Sequence, residues 1–435
     1  AGAGAPRVAV SKRNTTTRYS EEYLAGALMG NPELVRNIAV VGHLHHGKTS
    51  VMDLIVQDTH DVDWNPRDSV RYTDTRKDEQ KRGISIKATP MSVLMADLKG
   101  KSLGVNWIDT PGHVNFLDEA FAAMRMADGV LLVVDALEGV MSGTRLLIQR
   151  ALAEELDVTL CISKIDRLIL ELHIPPQDAF YKLRHIIDQV NAEIAESPHV
   201  AEKTPPVLSP DLGNVCFSSA RQGWCFTLEQ FAELYREQHP SMTLPADALA
   251  RRLWGDAYFD AARRKFTKKA PRDENGDPVP RSFVAFVLDP LFKFTSCIVG
   301  EDVSVVAQTM ESLGIARSIK PASLKTDVQP LLKTCLAAFF GTSTAGLATM
   351  SRAHVRSPAA AAPEKTRRLY TGPLDGERAA AMLRVDPDGP AAVMVCKMLP
   401  GAEGGAFVAV GRVMAGRLSA GDKVRVLGDG FEPEF

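Results

Sequence analysis

The sequence lacks an excess of charge of either sign. Its 51 Lys and Arg against 53 Asp and Glu leave a formal net charge of −2, with charged residues at 24% of 435. No chain-wide basic field therefore announces a nucleic-acid binder. Cysteine is sparse: Cys161, Cys216, Cys225, Cys297, Cys335 and Cys396 are scattered without any C-x-x-C pair. That pattern excludes a disulfide framework and a zinc site of ordinary spacing, and fits reduced thiols in a cytosolic or nuclear protein. No apolar run approaches the roughly 20 residues needed to span a bilayer, so no membrane contact is expected. The first twenty residues, small and polar with Arg7, Lys12, Arg13 and Arg18, lack the apolar core of a secretory signal. The expectation is a soluble intracellular protein of about two or three domains.

What is present centres on Asn37 to His60. Ile38-Ala39-Val40-Val41 reads as a buried strand, and Val51, Leu54 and Ile55 recur at helical spacing. Between them runs G-x-x-x-x-G-K-T: Gly42, His43, Leu44, His45, His46, Gly47, Lys48 and Thr49. Strand, glycine-bounded loop and helix in that order make a phosphate-binding loop. Inward N–H groups and the helix N-terminus attract anionic oxygens. Lys48 reaches terminal phosphates, and the Thr49 hydroxyl suits the Mg²⁺ that accompanies them.

Downstream, Leu103 to Ile108 reads as a strand ending in Asp109-Thr110-Pro111-Gly112-His113. A carboxylate there suits holding Mg²⁺, Gly112 lets its N–H approach a γ-phosphate, and His113 can reach the attacking water. Ser85 fits either the Mg²⁺ shell or a solvent-facing strand. After the apolar strand Gly129 to Ala136 and a helix from Arg145 to Leu156, the tetrad Ser163-Lys164-Ile165-Asp166 follows the run Val158 to Ser163. A fixed Asp166 carboxylate can accept both N–H groups of guanine, with Lys164 along the base; a surface Lys and Asp read equally from these four letters alone. Asn214 to Phe217 is another strand, ending in Ser218-Ser219-Ala220-Arg221.

Alternating strands and helices argue an α/β doubly wound, mostly parallel sheet with its ligand at the strands' carboxyl ends. Residues 1–36 read as an arm with a short helix from Glu21 to about Met29, and 37–365 as the nucleotide domain. Within it, about 223–330 reads as a helical and mixed insertion carrying Arg263-Arg264-Lys265-Phe266-Thr267-Lys268-Lys269, a run that fits RNA phosphates or a solvated face. The polar stretch Asp58 to Gly83 has few apolar anchors and is expected to be mobile. A helix near Leu331 to Phe340 completes the domain, and Ala359 to Pro363 reads as a linker. From 366 to 435, and clearly from Gly389, short alternating runs read as a β-barrel begun but left incomplete.

The four motifs GHLHHGKT, DTPGH, SKID and SSAR, in that order, resemble those of the translational GTPases of the elongation factor two group. Gly411 to Val424 resembles that group's second-domain barrel motif. The segments Ile165 to Leu172, Pro175 to Asn191, Lys265 to Pro271 and Tyr370 to Gly372 look like those of its spliceosomal branch, the GTPases of the U5 small nuclear ribonucleoprotein. The resemblance implies a P-loop GTPase domain followed by a partial barrel, nuclear localisation, and GTP or GDP with Mg²⁺ as cofactors. It places Thr49, Asp109 and Ser85 around the metal, Ser163 to Asp166 with Ser219 and Ala220 at guanine, and His113 at the water. The partners it implies are the large U5 scaffold protein, the U5 RNA helicase and U5 snRNA. It implies a nucleotide switch in pre-mRNA splicing with slow or partner-dependent hydrolysis; the alternatives are a scaffold that holds GTP, or a ribosomal translocation factor. Two residues depart from the group. Ser163 stands in place of Asn, losing an amide that braces the loop, and His45 stands in place of Asp.

Overall fold

Apolar runs of strand length need a pairing edge and a cover on each face, and here one sheet supplies both. In a computed structural model of the chain, β1 (Ala9–Val10), β2 (Val35–Val41), β3 (Thr89–Ala96), β4 (Ser102–Asp109), β5 (Gly129–Asp135), β6 (Asp157–Ser163), β7 (Val215–Ser219) and β8 (Trp224–Thr227) pair in the order β1-β3-β4-β2-β5-β6-β7-β8. The strands β4, β2, β5, β6 and β7 run parallel to one another. β3 is antiparallel to β4, and β8 to β7. Every residue of β5 is buried, as a parallel strand covered on both faces requires. The structure describes residues 9–10, 26, 30–60, 71–200, 204–240, 242–272, 276–300, 305–306, 308, 310, 327–341, 344–401 and 406–428. Most of the expected N-terminal arm and of the Glu21–Met29 helix lie outside the described residues, as do 61–70, 273–275 and 429–435.

The topology fixes where chemistry can occur. β2 lies between β4 and β5, so chain order reverses on either side of it and a crevice opens at the strands' carboxyl ends. Parallel strands deliver the loops after β2, β4, β5, β6 and β7 to that same edge. The helices Lys48–Thr59, Leu117–Met126, Ser142–Ala153 and Pro176–Ala195 return the chain between strands. The last buries Phe180, Leu183, Ile186, Ile187, Val190 and Ile194, the residues whose spacing predicts it. It starts at Pro176 with Pro175 as N-cap, so Asp178 lies in the first turn, where a carboxylate favours the helix dipole, and is not the cap.

Three expectations change. Trp224–Thr227, which its texture assigns to the insertion, is the edge strand β8. Its Trp224 and Phe226 each stack on Phe340 of the Val328–Phe340 helix, with centroids 4.5 Å apart. The run Ala359–Pro363 is not a linker; it lies within the helix Pro358–Leu369, because four consecutive alanines are strong helix formers. The polar stretch is anchored over its described part, by buried polar groups where apolar ones are missing. Its Lys77–Arg82 helix ends at Gly83, and Glu79 is 1% exposed. The Glu79 carboxylate accepts the N–H groups of Ile86 (2.8 Å), Lys87 (2.9 Å) and Arg76 (3.0 Å).

The described chain divides into two units, at Ser357 and Pro358. The first also carries the antiparallel pair β9 (Tyr258–Asp260) and β10 (Lys265–Thr267), which holds the basic run with Arg263, Arg264, Lys265, Lys268 and Lys269 exposed. The second holds the helices Pro358–Leu369 and Glu377–Arg384 and the hairpin β11 (Ala392–Pro400) with β12 (Phe407–Ala415). Ala381, Met382, Met414 and Ala415 form its small core. The alternating residues after Gly416 are not in a strand: Val424 and Val426 are exposed, and no ladder among the described residues pairs them. No disulfide joins any of the six cysteines among the described residues. No helix among the described residues is long and apolar enough to cross a membrane.

Glu79→Ala should release the segment it pins. Losing bonds to a buried carboxylate costs about 1.5–3 kcal/mol, so amide exchange over residues 71–87 should rise ~10- to 100-fold. Amides of β5 and β6 should exchange as in the parent. Unchanged exchange over 71–87 would show that other contacts hold it.

Candidate functional site

The phosphate loop runs from the end of β2 into the Lys48–Thr59 helix. Gly47 is the helix N-cap at φ 94°, ψ 21°, a left-handed conformation that glycine adopts without strain. His45 also lies at positive φ, 61°, and is exposed, a conformation in which His is enriched among side-chain-bearing residues. The loop is fixed by its neighbours. The Ser163 hydroxyl donates to the His46 carbonyl at 2.5 Å. His46 is fully buried; its Nδ1 accepts the Asp135 N–H at 3.4 Å, which leaves the ring proton on Nε2, 3.2 Å from Glu138 Oε2. Burial lowers the His46 pKa to about 4, outweighing the Asp135 and Glu138 carboxylates that would raise it. The ring is therefore a neutral strut at physiological pH.

Lys48 lies inside the loop, 6% exposed, donating to the His43 carbonyl at 3.0 Å. Gly112 comes close to it: a Cβ there would stand 2.2 Å from Lys48 Nζ and 2.9 Å from the His43 carbonyl oxygen. Only glycine allows the Asp109–His113 turn to close over the ammonium. Thr110 and Pro111 are buried in this turn, and the Thr110 hydroxyl ties it to the Val40 carbonyl at 2.7 Å.

A chain of hydroxyls and carboxylates lies beside Lys48. The Thr73 hydroxyl donates to Asp109 Oδ2 (2.6 Å), and that of Ser85 to Asp74 Oδ1 (2.8 Å). With its proton so used, Ser85 accepts from Thr49 at 3.1 Å. Asp109 is 2% exposed, and its Oδ1 is buried with no hydrogen-bond partner among the described residues. Burial raises the carboxyl pKa of Asp109 and of Asp74, and that of Asp53 to about 7. An orphaned buried oxygen flanked by two hydroxyls is a donor set that fits Mg²⁺, which takes one or two carboxylates and completes its shell with phosphates and water. No preformed cage of three His, Cys, Asp or Glu side chains exists among the described residues. Thr49, Ser85 and Asp109 are thus brought together, as the sequence reading requires.

On the other side of the loop, Gly47, Ser50, Val51, Ser163, Lys164 and Asp166 line a cavity of about 210 Å³, with Ala220 and Arg221 across from them. Asp166 is 4% exposed, and Oδ1 accepts from the Ser219 hydroxyl at 2.7 Å. Burial raises its pKa, against the Ser219 hydroxyl and the Arg221 charge. Ile165 is buried and its N–H reaches the Ser218 carbonyl at 3.3 Å, fixing the tetrad to β7. Lys164, at φ 58°, is held along the loop by Asp135 Oδ2 at 2.9 Å.

Two expectations read differently in the structure. Ser163 keeps the bracing role its missing amide seemed to lose, because its hydroxyl reaches the His46 carbonyl. His113 turns to its own chain: its Nδ1 accepts the Asn115 N–H at 3.2 Å, capping the turn Val114–Phe116. Sequence reasoning missed Asp135, Glu138, Arg167 and Arg71. Asp135 pairs with Lys164 and, at 2.8 Å, with Arg167, and Glu138 faces His46. The signal for Asp135 was its place at the carboxyl end of an apolar strand.

The family model for the elongation factor Tu GTP-binding domain matches residues 33–287. The chain is 44% identical over 431 residues to the 110 kDa U5 small nuclear ribonucleoprotein component CLO of Arabidopsis thaliana, and likewise to the 109 kDa component GFL of that plant. It is 40% identical over 432 residues to pre-mRNA-splicing factor cwf10 of Schizosaccharomyces pombe. Each alignment takes in 98% of this chain and 43% of the relative, so the chain spans less than half the length of these proteins.

Desolvation lowers the Lys48 ammonium pKa to about 8, with Asp109 opposing that shift and Lys164 and Arg71 adding to it. A bound phosphate favours the charged form, so binding takes up a proton wherever free Lys48 is neutral. Affinity for a nucleoside triphosphate should be flat below about pH 7 and fall up to ~10-fold per unit above about pH 8. Titration from pH 6.5 to 9.5 checks this; a flat profile would show that Lys48 stays charged when free.

Proposed function

The chain belongs to the GTP-binding family typified by elongation factor Tu, and we propose that it is a GTP-binding regulatory component of the spliceosomal U5 particle. The observation that carries guanine recognition is Asp166, a buried carboxylate oriented by Ser219 at the edge of a cavity that opens onto the phosphate loop. A carboxylate there accepts the N1–H and 2-amino protons of guanine and finds neither donor on adenine. Lys164 covers the base, and the loop from Gly42 to Thr49 cradles the phosphates. Thr49, Asp109 and Ser85 would hold Mg²⁺, which would supply charge neutralisation at the phosphates. The relatives' names, a U5 small nuclear ribonucleoprotein component and a pre-mRNA-splicing factor, support a role in pre-mRNA splicing in the nucleus. In this reading the partners are the large U5 scaffold protein, the U5 helicase and U5 snRNA.

Turnover is slow in this reading. The Asn115 N–H occupies His113 Nδ1, so Nε2 is the nitrogen left to orient water, on a ring already committed to capping its own turn. A second reading, in which GTP is a structural ligand, holds if His113 only caps that turn.

Asp166→Asn should shift preference from GTP toward xanthosine triphosphate, whose C2 carries oxygen, at a cost to GTP of about 1.5–3 kcal/mol per bond removed. Competition binding with both nucleotides is the measurement, and an unaltered GTP preference would refute the guanine assignment.

With Mg²⁺ alone, hydrolysis should run at the ~10⁻⁴ s⁻¹ scale of unassisted small GTPases or below. Spliceosomal particles should raise the rate, and His113→Ala should abolish that rise while leaving binding nearly intact. Single-turnover assays separate the cases: a rate indifferent to particles and to His113 leaves the structural-ligand reading standing.

A further inference from the structure

Resting on the nucleotide-binding reading, we propose that Arg71 is a phosphate-binding arginine supplied in cis, holding the α- and β-phosphate end of the nucleotide against the first turn of the Lys48–Thr59 helix. Its Nη1 donates to the Ser50 hydroxyl at 2.8 Å. Ser50 is the third residue of that helix, where backbone N–H groups have no intrahelical partner, and it lines the cavity together with Asp166 and Ser163. One guanidinium proton is used in this bond, and four donors remain in the planar fork that suits phosphate oxygens.

The guanidinium is exposed and forms no ion pair among the described residues. Two carboxylates, Asp53 and Asp74, feel its charge without closing an ion pair with it. Asp53 accepts the Tyr72 N–H at 3.4 Å, and Asp74 accepts the Ser85 hydroxyl. Lys48 feels the positive charge of both Lys164 and Arg71, which come from two other segments. Such convergence is unfavourable by itself and becomes favourable once a polyphosphate lies among the three cations.

Placement decides which phosphate. Lys48 Nζ lies under Gly112, at the terminal end of the site. Ser50 lines the cavity that Asp166 also lines, whereas Lys48 is not among its lining residues. An arginine bonded to Ser50 meets the phosphates nearest the ribose, which GTP and GDP share. Arg71 is therefore an affinity group for both nucleotides and not a group that speeds γ-phosphate transfer.

The test uses the full chain with Mg²⁺, titrated with GTP and with GDP. Arg71→Ala should weaken both by about tenfold, the scale of one charge-assisted bond, and Arg71→Lys should recover part of that loss. Single-turnover hydrolysis at saturating GTP should change less than about threefold. Ser50→Ala should weaken binding less, and the double variant should match Arg71→Ala alone if the hydroxyl acts only by aiming the guanidinium. Parent-like affinity of Arg71→Ala for both nucleotides would overturn the assignment. So would intact affinity with a collapsed rate, because Arg71 would then act at the γ-phosphate. Were the parent chain itself to bind neither nucleotide, the GTP reading would fail and this one with it; parent binding that persists in Arg71→Ala would remove this one alone.

Discussion

The site depends on the attachment of the phosphate loop to the strand ends beside it. A glycine-bounded loop has no side-chain core of its own, so its shape must be imposed from outside. The imposition is polar. Ser163 at the end of β6 holds the His46 carbonyl, and the Asp135 N–H and Glu138 carboxylate at the end of β5 meet the two nitrogens of the buried His46 ring. Asp135 in turn fixes Lys164 and Arg167. Burial, Lys164 and Arg167 pull its pKa in opposite directions; the Leu137 N–H and the two cations prevail, and the carboxyl stays below its ordinary range. Asp135 thus couples the glycine-bounded loop, through its N–H, to the Ser163-Lys164-Ile165-Asp166 tetrad, through its carboxylate.

The same logic extends to the segment leading into β3. It has few apolar residues and takes its order from buried polar groups instead. Glu79 gathers three backbone N–H groups, Thr73 reaches Asp109, and Ser85 joins Asp74 to Thr49. The Thr73, Ser85 and Asp74 anchors share their oxygens with the cluster around Asp109 and Thr49, so a cation binding there would compete with the bonds that hold this segment.

The electrostatics of the site point outward to a ligand. Lys48 feels two further cations, burial raises the carboxyls of Asp53, Asp74 and Asp109, and one oxygen of Asp109 has no partner among the described residues. A folded protein tolerates such arrangements where bound charge resolves them. A polyphosphate and Mg²⁺ satisfy both signs at once.

Much of this was legible in the residues. The order of strand, glycine-bounded loop and helix sets the phosphate loop, the apolar runs set the parallel strands, and the Asp109 carboxylate at the end of β4 marks the edge where the site lies. Local chemistry dictates these features, since propensity, periodicity and glycine's freedom act over a few residues. The sequence also determined the helix Pro176–Ala195 by its repeating apolar face. What only the tertiary structure decided are relations between distant segments. That Ser163 braces the loop without an amide depends on β6 lying beside β5. That Trp224–Thr227 joins the sheet depends on Phe340, more than a hundred residues later, stacking on it. The anchoring of Thr73 and Glu79, the turn of His113 toward Asn115, and the meeting of Arg71 with Ser50 follow from which groups are left to pair once the sheet has closed. Hydrogen bonds and charges select partners by proximity in space, and a polar residue in sequence carries no record of which partner it will meet.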